Sequence, residues 1–321
     1  MTFNKVLVVG SGVMGPGIAL SFAQGGVNVA ISDTDKNALA EGEKTIEEGL
    51  KLFVDQGFIE SADVPAVMGR IEFSHDLKQA ADSADLAVEA VSENPEIKEA
   101  VYRELDSILS PEAVIGSNTS SLPVPQMYPD IRPGRLIILH YFNPAHIMPL
   151  VEIVKTPDTP TDVISALRSF YARIGKYVVV LNKFLPGFLV NRIQVAVMRE
   201  ALYLLEQGLA EPEEMDTAFK CCSALRGVVH GPLEHMDMVG LDTISAASTV
   251  IFPLISNETE TPAILTEMVN AGKLGFKGDG GFYPYPENTK EEHRKRRDRA
   301  LIEELKLFRS LVSRGDIMIK E

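Results

Sequence analysis

The sequence predicts an α/β protein: a domain with a mostly parallel sheet over residues 1–184, followed by an all-α domain over residues 185–321. Three observations predict it. From Lys5 to Leu181, short apolar runs alternate with longer helical stretches, the pattern of an α/β sheet. Several runs are dominated by Val and Ile, as strands covered on both faces are. After Asn182 the strand signal stops, and apolar residues recur only at three- and four-residue steps.

The expected strands are Val6–Val9, Val27–Ile31, Leu86–Val91, Ala113–Gly116, Leu136–His140, Leu150–Val154 and Tyr177–Leu181. Between them, Thr34–Gln56 and Pro95–Ile108 carry helical spacing. The domain boundary is expected near residues 182–186, with Pro186 placed as a proline that opens a helix. Leu189, Ile193, Val197, Ala201 and Leu204 continue that helix as an apolar stripe. Glu211–Phe219, Asp242–Ile255 and Thr261–Ala271 read as further helices, and a charged helical tail runs from Thr289 to about Val312. In that tail, Arg294, Lys295, Arg296, Arg297 and Arg299 stand among Glu291, Glu292, Asp298, Glu303 and Glu304. This mixture reads as a solvated, ion-paired helix, with contact to phosphates as the alternative.

At 321 residues the chain has room for about two domains. Its 45 acidic and 31 basic residues give a formal charge of −14, the wrong sign for a general nucleic-acid binder or for an anionic membrane surface. No apolar run reaches the roughly 20 residues of a membrane-spanning helix. Met-Thr-Phe-Asn at the start lacks the basic region of a signal peptide. The two cysteines, Cys221 and Cys222, are neighbours; they make neither a sound disulfide nor a metal site, and are expected to be small buried residues. The expectation is a reducing, cytoplasmic location without nucleic-acid, membrane or metal partners.

The strongest local signal is Gly10-Ser-Gly-Val-Met-Gly15, directly after the first strand and directly before a helix. In that context Gly10 permits the tight turn, Gly12 lets backbone approach a pyrophosphate, and Gly15 lets helix and strand pack closely. Val13 and Met14 complete the turn, and the helix N-terminus offers amides to the phosphates. Asp33 ends the second strand, where a carboxylate accepts the ribose hydroxyls of NAD and repels the 2′-phosphate of NADP. The domain is therefore expected to be Rossmann-type with NAD as cofactor. The alternative is a glycine turn in an unrelated α/β protein.

Oxidation of an alcohol on NAD requires a proton acceptor. Of six histidines, His140 stands at the end of a strand, where ligands gather in α/β sheets, and imidazole titrates near neutrality. From position alone it is either that base or a buried histidine bonded to backbone.

Several segments together resemble the L-3-hydroxyacyl-CoA dehydrogenase family, including its relatives that act on free hydroxy acids. They are Gly10–Ala19, Glu89-Ala-Val-Ser-Glu-Asn94, Ser117-Asn-Thr-Ser-Ser-Leu122, His140-Tyr-Phe-Asn-Pro144, Leu150-Val-Glu-Ile153, Pro186-Gly-Phe-Leu-Val-Asn-Arg192, Gly231-Pro-Leu-Glu234 and Val239-Gly-Leu-Asp242. The resemblance implies that His140 takes the hydroxyl proton as hydride leaves C3 for the nicotinamide. It implies that Glu152 orients His140, that Ser120 bonds the substrate oxygen and that Asn191 positions the substrate. Glu93, Lys98, Asn143 and Lys277 match positions that line the cofactor; Asn143 also reads as a turn-starting residue before proline. A homodimer through the helical domain and a place in fatty-acid metabolism are further implications.

The match departs from acyl-CoA members at His146, at Pro149 after Met148, and at Leu-Arg-Gly-Val-Val-His before Gly231. These departures resemble relatives acting on free hydroxy acids or small carboxylated alcohols, the L-gulonate and L-carnitine dehydrogenases. Lys51–Arg70 offers only its two end residues as cations for CoA phosphates, with the tail cluster Arg294–Arg299 as the other candidate. For a free acid, Arg226 is the candidate to grip the carboxylate, unless it caps a helix or pairs with Glu234. A non-catalytic dinucleotide-binding protein is a minor alternative, opposed by Ser120, His140, Glu152 and Asn191 standing together. A 6-phosphogluconate-like dehydrogenase is opposed by the absence of its lysine motif.

Overall fold

Residues 1–317 and 319 are described by a computed structural model. The first compact unit comprises Met1–Leu189 and Asp298–Leu305. In chain order it holds β1 (Lys5–Val9), α1 (Gly15–Gln24), β2 (Asn28–Ser32), α2 (Lys36–Asp55), α3 (Val64–Met68), β3 (Ile71–Ser74), α4 (Leu77–Ala80), β4 (Leu86–Glu89) and α5 (Pro95–Ile108). It continues through β5 (Val114–Ser117), α6 (Val124–Met127), β6 (Leu136–Tyr141), β7 (Leu150–Val154), α7 (Thr161–Arg173) and β8 (Tyr177–Leu181).

The eight strands form one sheet in the order β3-β2-β1-β4-β5-β6-β7-β8. Every neighbouring pair is parallel except β6 and β7. The order reverses between β1 and β4, and a crevice at such a reversal, outside the carboxyl ends of the strands, is where open α/β sheets bind ligands.

Alternation along the strands divides the core between the two faces. Val6 and Val8 of β1 join Ile18, Phe22 and Phe53 on one face, while Leu7 and Val9 join Tyr102 and Leu105 on the other. Ile302 and Leu305 complete the first of these clusters from the last helix of the chain. Helix starts follow local chemistry. Asp35 accepts a hydrogen bond from the Asn37 amide to begin α2, and Asn94 accepts from the Glu96 and Ile97 amides, with Pro95 next, to begin α5.

The elements differ from the sequence expectation in several places, and two of these have a plain physical reason. β3 was not among the expected strands: it is a four-residue edge strand whose burial alternates, so it lacks the continuous apolar run of the central strands. The helix expected to open at Pro186 begins instead at Val190. Gly187 and Phe188 have φ of 78° and 52°, left-handed backbone that a right-handed helix cannot include.

The second unit comprises Val190–Arg297 and the segment beginning at Lys306. It contains α8 (Val190–Glu206), α9 (Pro212–Ala218), a π-helical stretch Phe219–Ala224, α10 (Leu225–Gly227), α11 (Pro232–Val239), α12 (Leu241–Ile251), α13 (Ala263–Asn270) and most of α14 (Lys290–Arg314). No residue of α8 to α13 is buried. Cys221 and Cys222 are accordingly exposed, correcting the expectation that they are buried. The tail is ion-paired as expected at Lys295 with Glu291, while Arg294 stacks its guanidinium over the Phe276 ring.

Candidate active site

The candidate residues of the first unit gather along the carboxyl edge of the sheet. The glycine turn follows β1, Asp33 follows β2, Glu93 follows β4, Ser120 follows β5, and His140 and Asn143 lie at the end of β6. β7 runs antiparallel to β6, so its first residues return to the same edge and bring Glu152 with them.

The glycine turn is built as a cradle. Gly10 has a φ of 104°, and a Cβ there would stand 2.7 Å from the Ala90 carbonyl oxygen, at the reversal between β1 and β4. A Cβ on Gly15 would stand 1.8 Å from the Gly10 carbonyl oxygen. A Cβ on Gly12 would meet nothing within 4 Å, so this glycine borders open space. No side chain caps α1, and Val13 is 83% exposed. The positive end of the α1 dipole is therefore left without a side-chain cap beside the exposed turn, although Pro16 contributes no N–H there. Asp33 fastens the turn by accepting from the Ser11 amide at 2.8 Å, and accepts from the Asp35 amide at 2.9 Å. A carboxylate retains lone pairs beyond these two for ribose hydroxyls. These residues fit a dinucleotide.

His140 and Glu152 are register partners across the antiparallel pair, so their side chains leave the same face of the sheet. His140 Nδ1 lies 2.8 Å from Glu152 Oε2, with both side chains buried. The other carboxylate oxygen, Oε1, accepts from the Leu189 amide at 3.1 Å. With Nδ1 on the carboxylate, Nε2 is the nitrogen left for chemistry. Phe142 and Phe188 stand edge-on to the imidazole at 4.6 and 5.2 Å. Phe188 is buried against Ile138 and Val154, whose side chains share the His140 and Glu152 face by the two-residue period. The left-handed Gly187–Phe188 turn therefore lays an aromatic ring and a backbone donor on the His140–Glu152 pair, a strained conformation held by its surroundings. Asn118 Oδ1 accepts from the Tyr141 amide and joins the ends of β5 and β6.

Glu93 is half-exposed. Its Oε1 accepts from Thr119 Oγ1 at 2.5 Å and from the Ser120 amide at 3.1 Å; its Oε2 lies 3.2 Å from Lys98 Nζ. Partial burial pushes the Glu93 carboxyl up, but the Thr119 hydrogen bond and the Lys98 charge outweigh it and hold the group below the usual carboxylate range. Ser120 is exposed. Lys98 is fully buried, with its ammonium between Glu93 and Glu89. The sequence reading named no role for Glu89, Tyr102 or Ser117, all fully buried beside it. The only available signal was a carboxylate inside an apolar strand run. Burial pushes the Tyr102 hydroxyl far above its ordinary range, reinforced by the Glu89 charge.

Asn143 is exposed after β6. His146, one of the departures from acyl-CoA members, packs edge-on to Phe53 at 5.5 Å and against Gly17, a place between α1 and α2. Asn191, Arg226 and Lys277 belong to the second unit. There Arg226 donates to His235 Nε2 at 2.8 Å and to Cys222 Sγ at 2.9 Å, rather than to Glu234. Among the described residues no His, Cys, Asp and Glu group could hold a metal ion, and no helix is long and apolar enough to cross a membrane.

The fold and the cradle define a dinucleotide-binding α/β enzyme with a helical second domain. Residues 5–184 match the model of the 3-hydroxyacyl-CoA dehydrogenase NAD binding domain, and residues 187–285 match that family's C-terminal domain. The chain belongs to the 3-hydroxyacyl-CoA dehydrogenase family and is an NAD-dependent oxidoreductase. It is 37% identical over 286 residues to a probable 3-hydroxybutyryl-CoA dehydrogenase of Deinococcus radiodurans, covering 88% of this chain and all of that one. It is 32% identical over 289 residues to 5-formyl-3-hydroxy-2-methylpyridine 4-carboxylate 5-dehydrogenase of Mesorhizobium japonicum, covering 89% and 93%. A solved structure of a 5-dehydrogenase with that pyridine substrate, described as an NAD+-dependent dismutase, superposes with a TM-score of 0.89 at 29% identity, covering 96% of this chain and 99% of that one. The (S)-3-hydroxybutyryl-CoA dehydrogenase of Ralstonia eutropha superposes with a TM-score of 0.71 at 34% identity, covering 89% and 100%.

Proposed function

We propose that the protein oxidises the 3-hydroxyl of an L-3-hydroxyacyl-CoA to the 3-keto compound, with His140 as the general base. The observation that carries this reading is the buried His140–Glu152 pair at the carboxyl edge of a sheet whose glycine cradle fits a dinucleotide. Gly10, Gly12, Val13, Met14 and Gly15 would hold the pyrophosphate, Asp33 the ribose, and Glu93, Asn143 and Lys277 would line the rest, with Lys98 behind Glu93. When bound, NAD supplies the acceptor for the hydrogen and electron pair that leave C3. His140 Nε2 takes the hydroxyl proton, and Glu152 holds the ring by Nδ1 and stabilises the imidazolium that forms. Ser120 donates to the substrate oxygen, and Asn191 positions the substrate.

The test is steady-state kinetics on the full chain with acetoacetyl-CoA and NADH, beside 3-hydroxybutyrate, L-carnitine and L-gulonate with NAD. Efficient acetoacetyl-CoA reduction is expected, and His140→Ala should cut turnover about 10²–10⁴-fold while NADH binding persists. Near-normal turnover by that variant would remove His140 from the mechanism. NADP should be a poor substitute for NAD because its 2′-phosphate faces Asp33.

A second reading, the same chemistry on a free hydroxy acid or small carboxylated alcohol, is favoured by one observation. The pyridine-carboxylate dehydrogenase matches 96% of the chain with a TM-score of 0.89, against 0.71 for the hydroxybutyryl-CoA enzyme. Arg226 is then the cation for the carboxylate. Arg226→Met should selectively lose turnover of the free acids, and unchanged kinetics beside efficient acyl-CoA turnover would eliminate this reading.

We also infer a homodimer through the second unit and a cytoplasmic setting, consistent with fatty-acid metabolism. The dimer is supported by the apolar side chains that α8 to α13 leave uncovered, including Leu233, Met238, Val250 and Ile251.

A further inference from the structure

We propose that Glu89, Tyr102 and Ser117 are positioning residues for Ser120, acting through Lys98 and Glu93. The proposal rests on the reading of Ser120 as the donor to the substrate oxygen.

Glu89 and Ser117 are the last residues of β4 and β5 and are register partners. Lys98 and Tyr102 stand four apart on α5 and share one helix face, which brings an ammonium and a phenol together over the Glu89 carboxylate. Glu89 is then fully engaged. Its Oε1 accepts from Lys98 Nζ at 2.7 Å and from the Val91 amide at 2.8 Å. Its Oε2 accepts from the Tyr102 hydroxyl and from Ser117 Oγ at 2.8 Å, and the two hydroxyls touch each other at 2.8 Å. Every one of these side chains is sealed from solvent.

The order of contacts leads outward. Lys98 turns a second N–H toward Glu93 Oε2, and Glu93 Oε1 collects Thr119 Oγ1 and the Ser120 amide. Thr119 Oγ1 in turn accepts from the Leu122 amide. The residues around Ser120 are thus anchored to a half-exposed carboxylate, which a buried lysine fixes, which a buried carboxylate fixes to two strand ends. A buried ion cluster of this kind is costly compared with apolar packing, and its yield is definite position. The succession of contacts ends on the turn from Thr119 to Leu122, which carries the Ser120 amide and with it the hydroxyl that meets the substrate.

A double-mutant cycle on the full chain tests this, combining Glu89→Gln or Tyr102→Phe with Ser120→Ala. Each of the first two is expected to lower kcat about tenfold or more in the Ser120 background, and less than about twofold in the Ser120→Ala background. Hydrogen exchange at the Ser120 amide should quicken in Glu89→Gln by more than exchange in β1 does, even though loss of the buried charge lowers the melting temperature, and a general structural role would not produce that selectivity. Tyr102→Phe removes one hydroxyl and carries the same cycle should Glu89→Gln fail to fold. Equal losses in both backgrounds, or an unchanged kcat in the Ser120 background, would overturn the proposal while leaving Ser120 in place. If Ser120→Ala itself turns over normally, the reading of Ser120 falls and this inference with it.

Discussion

The contact between His140 and Glu152 was expected from the resemblance, since each belongs to a distinctive segment, His140 toward the end of β6 and Glu152 in the middle of β7. Their pairing was not derivable from spacing: it depends on β7 reversing direction, which makes them register partners. Glu152→Gln should lower turnover in the same direction as His140→Ala, since an amide cannot stabilise imidazolium as a carboxylate does, and proton-transfer kinetics would show it. Glu89, Tyr102 and Ser117 escaped sequence reading because polar residues inside buried elements carry no pattern of their own; only the fold assembles them. Glu93 gives a prediction with a definite sign. Its carboxyl titrates lower in the folded protein than its ordinary value of 4.5, so its contribution to stability is present above that value and is lost as pH falls through the depressed one. Melting curves of the parent and Glu93→Gln should therefore differ by a constant amount above about pH 5 and converge in more acid solution. A gap that widens with acid would contradict the hydrogen bonds assigned to Glu93.

At the scale of elements, the strands covered on both faces were legible because Val and Ile runs leave no polar side to confuse them. β3 was not, since a short edge strand presents an alternating face that a loop also shows. The start of α8 was misplaced because Pro186 favours a helix start locally, whereas contact of Phe188 with Ile138 and Val154 holds the chain left-handed for two residues more. The glycine turn yields a paired prediction. Gly15→Ala drives a Cβ into the Gly10 carbonyl and should destabilise the fold by about 3 kcal/mol or more, read from denaturant unfolding. Gly12→Ala meets no protein atom and should melt within a few degrees of the parent, yet bind NADH about tenfold more weakly because the methyl intrudes on the cradle. Intact NADH affinity in Gly12→Ala would remove the cradle from its assigned task.

For the molecule as a whole, the division into an α/β part and a helical part was readable from the loss of strand signal after Asn182. The exposure of the cysteines was not, because burial was inferred from residue type, and type does not say whether a helix finds a partner within its own chain. Val250, Ile251, Phe252 and Leu254 are four such exposed apolar residues in and just after α12. Light scattering coupled to gel filtration should report twice the chain mass, and Leu254→Arg with Phe252→Asp should shift the population toward single chains at micromolar concentration. A monomeric parent would overturn the dimer.

The placement of Ile302 and Leu305 in the core of the first unit bears on how the chain is made. A ribosome delivers the sheet strands first, but two of the side chains that fill their hydrophobic layer come from residues more than a hundred positions downstream of β8. Until α14 emerges from the exit tunnel, that layer lacks Ile302 and Leu305, and the apolar surface they cover in the finished molecule has no partner from its own chain.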